Sequence, residues 1–316
     1  MSQENQTNER ELWKKISSTQ GADRAETYVE LGQIAYDRGD HTVSLALCQS
    51  AREIYEGLTT HVDTSKILHA FEGITFSLRR LDRDEEAAYV ALDAAKLLKE
   101  DDHVAMIDQY RDAGRYFFSA GEFQKAYDCH SIVLEQVDPD LTDDSIGVDY
   151  FNCGSTLVQL KKYTEAIPLL LTARGFYKQE RDPARVHDTD AYLTTCYLRL
   201  ENGVEAMVYG QKTLDFTITS HNCFLEAWAH YRMGCARLLV GEIDSAEDEL
   251  RHALKMNVDF RNPDWDFALQ VETEIAKILI IKGRVGEADE IFRRLKNLEE
   301  IIGDDDDETV SVEERT

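Results

Sequence analysis

Proline is scarce in this sequence, four residues in 316, at positions 139, 168, 183 and 263, so helices can run through most of the chain unbroken. Catalytic signatures are missing too. There is no GxSxG, GxxxxGK[ST], HExxH or GxGxxG, which removes the nucleophile elbow, the phosphate loop, the zinc-protease pair and the dinucleotide turn. No CxxC pair occurs among the six cysteines at 48, 129, 153, 196, 223 and 235, and most fall inside helical apolar patterns, so they read as reduced packed thiols. No run of Lys or Arg is present. With 35 basic residues against 61 acidic ones the formal charge is −26 and the pI about 4.7, which opposes binding to nucleic acid and slows approach to anionic membranes. No stretch reaches the roughly eighteen apolar residues of a membrane span, and Met1 to Arg10 is polar without the apolar core of a leader, so a cytoplasmic location is expected.

Metal chemistry has little support in the linear pattern. The acidic run Asp304 to Glu308 lacks the alternating ligands and central glycine of an EF-hand loop, and the closest histidine-based pair is His61 with Asp63. No cofactor, no metal site and no enzymatic activity are expected. From Asp304 to Thr316 there are seven acidic residues and one Arg, a net of −6, which leaves −20 of the total on the first 303 residues. Residues 303–316 therefore read as a solvated, disordered acidic tail, while the body itself is acidic and favours a basic partner.

What is present is helix-forming and core-forming composition: 43% hydrophobic, 30% charged, rich in Leu, Ala, Glu and Asp. It is also periodic. Gly114 precedes Ala126 by twelve residues, and the pair recurs as Gly154 and Ala166, Thr194 and Ala206, Gly234 and Ala246, each forty residues after the last. Helix breaks fall between them at Gly121, Lys161, Glu201 and Gly241, and Gly121 and Gly241, like Gly39 and Gly283, suit the left-handed residue that ends a first helix before a tight turn. Two antiparallel helices approach closely only where facing side chains are small, so each period reads as a helical hairpin crossing at its Gly and Ala. One such hairpin cannot bury its apolar face alone, and stacking neighbours creates the core.

These residues resemble the tetratricopeptide repeat. "RDAGRYFFSAGEFQKAYDCH" (111–130), "FNCGSTLVQLKKYTEAIPLLLTA" (151–173) and "YRMGCARLLVGEIDSAEDELRHA" (231–253) carry its small residue in helix A and its Ala in helix B; at the aromatic position three after the small residue they have Phe117, Leu157 and, off the pattern, Arg237. Weaker copies lie at 30–51, 71–95 and from Ala276 to Ala288. A forty-residue period exceeds the commonest length of about 34, so helices of roughly 16 residues are expected, and the longer repeat resembles those of kinesin light chains, Asn-Leu-Gly adaptors and Rap-type regulators. Asn152-Cys153-Gly154 approximates the Asn-Leu-Gly motif.

The expected architecture is all-α: a right-handed superhelical solenoid of about seven hairpins over 22–302, preceded by a segment, 1–21, with a short capping helix at 9–18 bearing Trp13. Asn262, Pro263 and Asp264 should open the last hairpin. "KILIIKG" (277–283) is apolar all round and should be covered on both sides, and a final helix over 286–302 should cap the array through Ile291, Phe292, Leu295 and Leu298.

The resemblance implies a peptide- or protein-binding groove walled by the first helix of each hairpin. Helical spacing then assigns Arg111, Arg115 and Phe118 to the third hairpin, Phe151, Ser155 and Gln159 to the fourth with Asn152 beside them, Thr195 and Arg199 to the fifth, and Trp228 and Tyr231 to the sixth. The aromatics are equally readable as packing between hairpins, and the arginines as paired with Asp108, Asp112 or Asp188. Three roles fit such a chain: a scaffold or adaptor for a protein or peptide, a receptor for a short signalling peptide resembling Rap, or an acidic mimic or chaperone of a basic nucleic-acid-binding protein. The receptor role would normally need an output module, and about twenty residues precede the first hairpin. Nothing in the sequence sets the oligomeric state.

Overall fold

The computed structural model describes residues 3–58, 63–98, 103–136, 144–259 and 264–296. They form α1 (Gln3–Ser18), α2 (Gly21–Asp37), α3 (His41–Glu56), α4 (Thr64–Arg80), α5 (Asp84–Leu98), α6 (His103–Ser119), α7 (Phe123–Gln136), α8 (Asp144–Gln159), α9 (Tyr163–Gln179), α10 (Pro183–Arg199), α11 (Gly203–Ser220), α12 (Cys223–Leu239), α13 (Ile243–Val258) and α14 (Trp265–Ile281). A further helical stretch covers 285–296, and no strand occurs among the described residues. Leaving α1 aside, this gives the fourteen solenoid helices expected. The lengths of α2 to α14, 14 to 18 residues, are what a forty-residue period dictates. The acidic tail, His61 and Leu298 lie outside the described residues.

The period is written into the backbone at its turns. Positive φ recurs at Gly121 (79°), Lys161 (60°), Glu201 (55°) and Gly241 (85°), and again at Gly39, Asp82 and Gly283. Each closes its first helix in the same way. Glu201 N–H donates to the Leu198 carbonyl and Asn202 N–H to the Tyr197 carbonyl, and Gly121 with Glu122 and Gly241 with Glu242 repeat the pattern. This is the Schellman closure, which satisfies carbonyls that the helix end leaves orphaned. Side chains cost about 1–2 kcal/mol in that conformation. Allowing for the extra freedom glycine has when unfolded, Glu201→Gly should raise unfolding free energy by about 0.5–1 kcal/mol in urea titrations, whereas Glu201→Ala should not.

Caps set the other ends. Asp182 accepts from Ala184 and Arg185 N–H with Pro183 at the first helical position, and Asn202 and Asn222 accept from Glu205 and Leu225 N–H. At α14 the cap is Asp264, which accepts from Phe267 N–H, rather than Asn262. The buried Asn257 at the end of α13 fixes that start by bonding both Asp264 backbone groups; Asn262 and Pro263 lie outside the described residues.

The helices divide into two compact units, Met1–Lys162 and Tyr163–Thr316. In the first, each helix from α1 to α8 packs on its sequence neighbours, α2 also touches α4, and α6 touches α8. No two second helices touch one another among the described residues, so the first helices form the inner face. The capping helix is longer than expected and uses Leu12 and Ile16 against Leu31, Ala35 and Leu47, while Trp13 stays 47% exposed. At the third hairpin's crossing Ala126 is buried as expected. The group facing Gly114 is one turn further on: a Cβ there would stand 2.5 Å from the His130 ring.

The second unit repeats the scheme, α10 touching α12 and α12 touching α14. A Cβ on Gly234 would lie 2.7 Å from Leu250 Cγ and 3.2 Å from the Ala246 carbonyl, so here the Gly and Ala crossing is direct. Ile275, Ala276, Ile278 and Leu279 are buried against α12, α13, Ala288 and Ile291. Ile280 and Ile281, however, are 49% and 60% exposed, so "KILIIKG" is covered on one side only. The expected double cover fails because the neighbouring helices flank a single face of α14. In the 285–296 stretch Leu295 is buried and Phe292 is exposed. All six cysteines are free; Cys223 is exposed and Cys235 half-buried, unlike the four in the core.

Candidate functional site

In the first unit the expected wall residues lie on α6 and α8, and most of their polar groups already have partners. Arg111 donates to the Asp149 carboxylate from Nε and Nη2 at 2.7–3.1 Å, to Ser145 Oγ and to Asp108. Asp149 is 3% exposed, and its hydrogen bonds raise the guanidinium pKa further against burial. Asp149 was not anticipated: it lies 38 residues from Arg111, and only the contact of α6 with α8 brings the pair together. Arg115 is exposed and pairs with Asp112. Phe118 meets Phe123 edge to face at 5.4 Å between centroids. Ser155 is buried and donates to the Asn152 carbonyl of its own helix, so it does not face a groove; the small hydroxyl competes successfully for a nearby backbone acceptor. Phe151 and Asn152 are half-buried, and Gln159 is exposed.

The second unit presents a different surface on α10, α12 and α14. Thr195 is half-buried and donates to the Ala191 carbonyl. Trp228 and Tyr231 make T-shaped contacts with each other and with Phe267, centroids 4.5–5.9 Å apart, so they are packed between hairpins with one edge toward solvent. Burial pushes the Tyr231 hydroxyl above its ordinary value and the Cys235 thiol up to about 12. Arg199 is exposed, acts electrostatically on both, and has no carboxylate partner among the described residues; it does not pair with Asp188.

Beside these stands Arg232, whose guanidinium lies 5.6 Å from the Trp228 ring centroid. Burial holds it below its ordinary pKa, with Tyr231 and Tyr192 opposing. No carboxylate among the described residues pairs with it, in a chain where acids outnumber bases 61 to 35. Sequence reasoning missed Arg232 because the stripe counted from Gly234 skips its position. Elsewhere in this unit a cavity of about 480 Å³ opens where α10 meets α9 and α11, edged by Lys178, Arg181 and Lys212, but its most buried cation, Arg174, is committed to Asp190.

No family model matches the sequence, and no curated protein matches it. Solved structures do. The apo form of RapI is 12% identical at a TM-score of 0.61, covering 86% of this chain and 75% of that one. A signal-transduction ATPase with a tetratricopeptide repeat sensor, from Pyrococcus horikoshii, is 15% identical at 0.63 over 90% of this chain; this chain spans 44% of that protein's length. A Rap protein complexed with Competence and Sporulation Factor is 15% identical at 0.53, covering 86% and 76%. The fold is a tetratricopeptide-like helical solenoid. Forty-residue hairpins and small residues at helix crossings are thus seen both in the sequence and in the contacts between helices. No described helix of this tetratricopeptide-like chain is long and apolar enough to cross a membrane.

Proposed function

We propose that the chain binds a peptide or an extended protein segment on the α10, α12 and α14 face, and that it acts by binding rather than by catalysis. One observation carries this: Arg232, half-buried among Trp228, Tyr231 and Tyr192, has no carboxylate partner among the described residues. An unpaired guanidinium in that setting is costly unless a ligand satisfies it, and its fork suits a carboxylate. Arg199 adds a second cation without a carboxylate partner among the described residues. The acidic body would draw a basic partner, and a basic peptide still offers one carboxylate at its C-terminus. A cytoplasmic setting fits this reading.

The test is a displayed random-peptide library with free C-termini, followed by titration of the best synthetic binder. Amidation of its C-terminus and Arg232→Gln should each weaken binding by about 1–3 kcal/mol. Tyr231 is a poorer probe, because it also holds the hairpins together. Unchanged affinity in Arg232→Gln and Arg199→Gln, with the fold intact by circular dichroism, would place binding elsewhere. A second reading, a receptor for a short signalling peptide, gains support from likeness to Rap proteins, one of them complexed with Competence and Sporulation Factor. Salt separates both from acidic mimicry. Affinity for a basic nucleic-acid-binding protein would fall steeply from low to moderate ionic strength, whereas docking on the aromatic face should lose less than threefold or so.

A further inference from the structure

The sixth hairpin carries a set of side chains that the peptide-binding reading does not use. Glu226 and His230 lie one turn apart on α12, and His252 faces them from α13. One ligand atom from each lies within 4.8 Å of the other two. The His230 and His252 rings meet at 4.5 Å between centroids, 74° apart. His230 Nδ1 is 2.6 Å from Glu249 Oε2, and its Nε2 points toward Glu226 at 3.9 Å.

That arrangement fixes the chemistry of the ring. A carboxylate on Nδ1 selects the tautomer whose proton sits there, which leaves the Nε2 lone pair directed at the Glu226 carboxylate. Two electron-rich groups facing each other need a cation between them. A carboxylate behind a ligating histidine is also the usual means of orienting such a ligand and raising its basicity. Two ligand atoms bound at about 2.0–2.1 Å to one tetrahedral ion stand roughly 3.4 Å apart, so the three side chains need to close by about 0.5–1.4 Å. Glu226 and His252, half-buried and exposed, have room to do so.

The forty-residue register sharpens the point. The third, fourth and fifth hairpins have Met106, Ile146 and Val186 where Glu226 stands, and Ile132, Thr172 and Lys212 where His252 stands. The set therefore belongs to one hairpin and is not a requirement of the fold. Linear spacing hid it, because the ligands come from two helices 22 residues apart.

We propose that Glu226, His230 and His252 bind one zinc-class divalent transition-metal ion, with Glu249 orienting His230, so that the ion clamps α12 to α13. Two imidazole nitrogens and a carboxylate oxygen suit Zn²⁺ or Co²⁺ rather than Mg²⁺ or Ca²⁺, and water completes the coordination. The test uses the full chain stripped with chelator and titrated with Zn²⁺ calorimetrically and with Co²⁺ spectroscopically. One equivalent should bind, with tetrahedral or five-coordinate Co²⁺ bands and no thiolate charge-transfer band from Cys223 or Cys235. Affinity should fall at least 100-fold in His230→Gln and in His252→Gln, and about 10–100-fold in Glu249→Gln. Zn²⁺ should raise the melting temperature of the parent and not of the His230→Gln, His252→Gln pair. No binding, a thiolate band, or unchanged affinity in folded His252→Gln, which alters an exposed side chain, would overturn the site.

Discussion

Asp149→Ala should lower the unfolding free energy by about 3–5 kcal/mol, because it removes the buried carboxylate from the Arg111 guanidinium between α6 and α8 and leaves it only Asp108 and Ser145. That guanidinium is 21% exposed in the native protein and directs three of its hydrogen bonds at Asp149. Arg111→Ala should cost a similar amount by leaving a carboxylate in the core. Replacing both by Leu should recover most of the loss, since the ion pair repays little beyond its own desolvation. Chemical denaturation of the parent, the two single Ala variants and the double Ala variant gives the coupling, and the double Leu variant is compared with them. Arg115→Ala breaks only the exposed pair with Asp112 and should change little. Equal small losses in all of these variants would mean that α6 and α8 are held by apolar contact alone.

Acid should destabilise the first unit well above the pH at which carboxylates titrate, and His130 is the cause. Burial, with the charge of Arg115 adding to it, pushes this imidazole down to about 4 from an ordinary value near 6.5. The native state therefore resists a proton that the unfolded chain accepts. The stability this confers is complete above pH 6.5, declines as pH falls, and is gone near pH 4. A shift of about 2.5 units corresponds to about 3 kcal/mol. His130→Phe keeps an aromatic ring over Gly114 and should flatten that part of the pH profile, apart from a residual slope from His187, which burial also lowers. Glu247 acts in a separate window. Burial pushes its carboxyl up, yet Lys282 and Arg251 hold it near 2, so its contribution is lost only as pH falls below about 4.5. A profile unchanged between pH 6.5 and 4 in His130→Phe would show that the ring titrates normally.

The repeat was legible because it depends on residues with backbone or steric meaning. Gly121, Gly241, Gly114 and Gly234 announce turns and crossings at fixed offsets, and even Lys161 and Glu201 were placed by counting from them. The charged groups resisted the same treatment. Arg111 was expected to pair locally, and it does with Asp108, but its principal partner is Asp149 on the next first helix. Arg232 is the converse case: a residue assigned no role becomes notable because no carboxylate among the described residues pairs with it. Glu226, His230 and His252 needed two helices in register before they resembled anything. Side-chain stripes drawn from helical arithmetic also erred where a residue could bond its own backbone, as Ser155 does. Exposure of Ile280 and Ile281 shows the matching limit for apolar runs, whose composition does not say how many neighbours a helix will have.

Turn closures that repeat at a constant interval give the chain a property that globular folds lack. Glu201 and Gly241 hold the same left-handed conformation, and each is followed by a residue that donates to the carbonyl five positions back. The segment between them is thus a module whose two ends are geometrically interchangeable. Removing residues 202–241 would join two ends that already have the required backbone path, and duplicating them would add a hairpin between neighbours shaped to receive one. Length is then a variable of this architecture rather than a constant. A new binding surface can be gained or discarded one forty-residue cassette at a time, without redesigning the packing of the remaining hairpins.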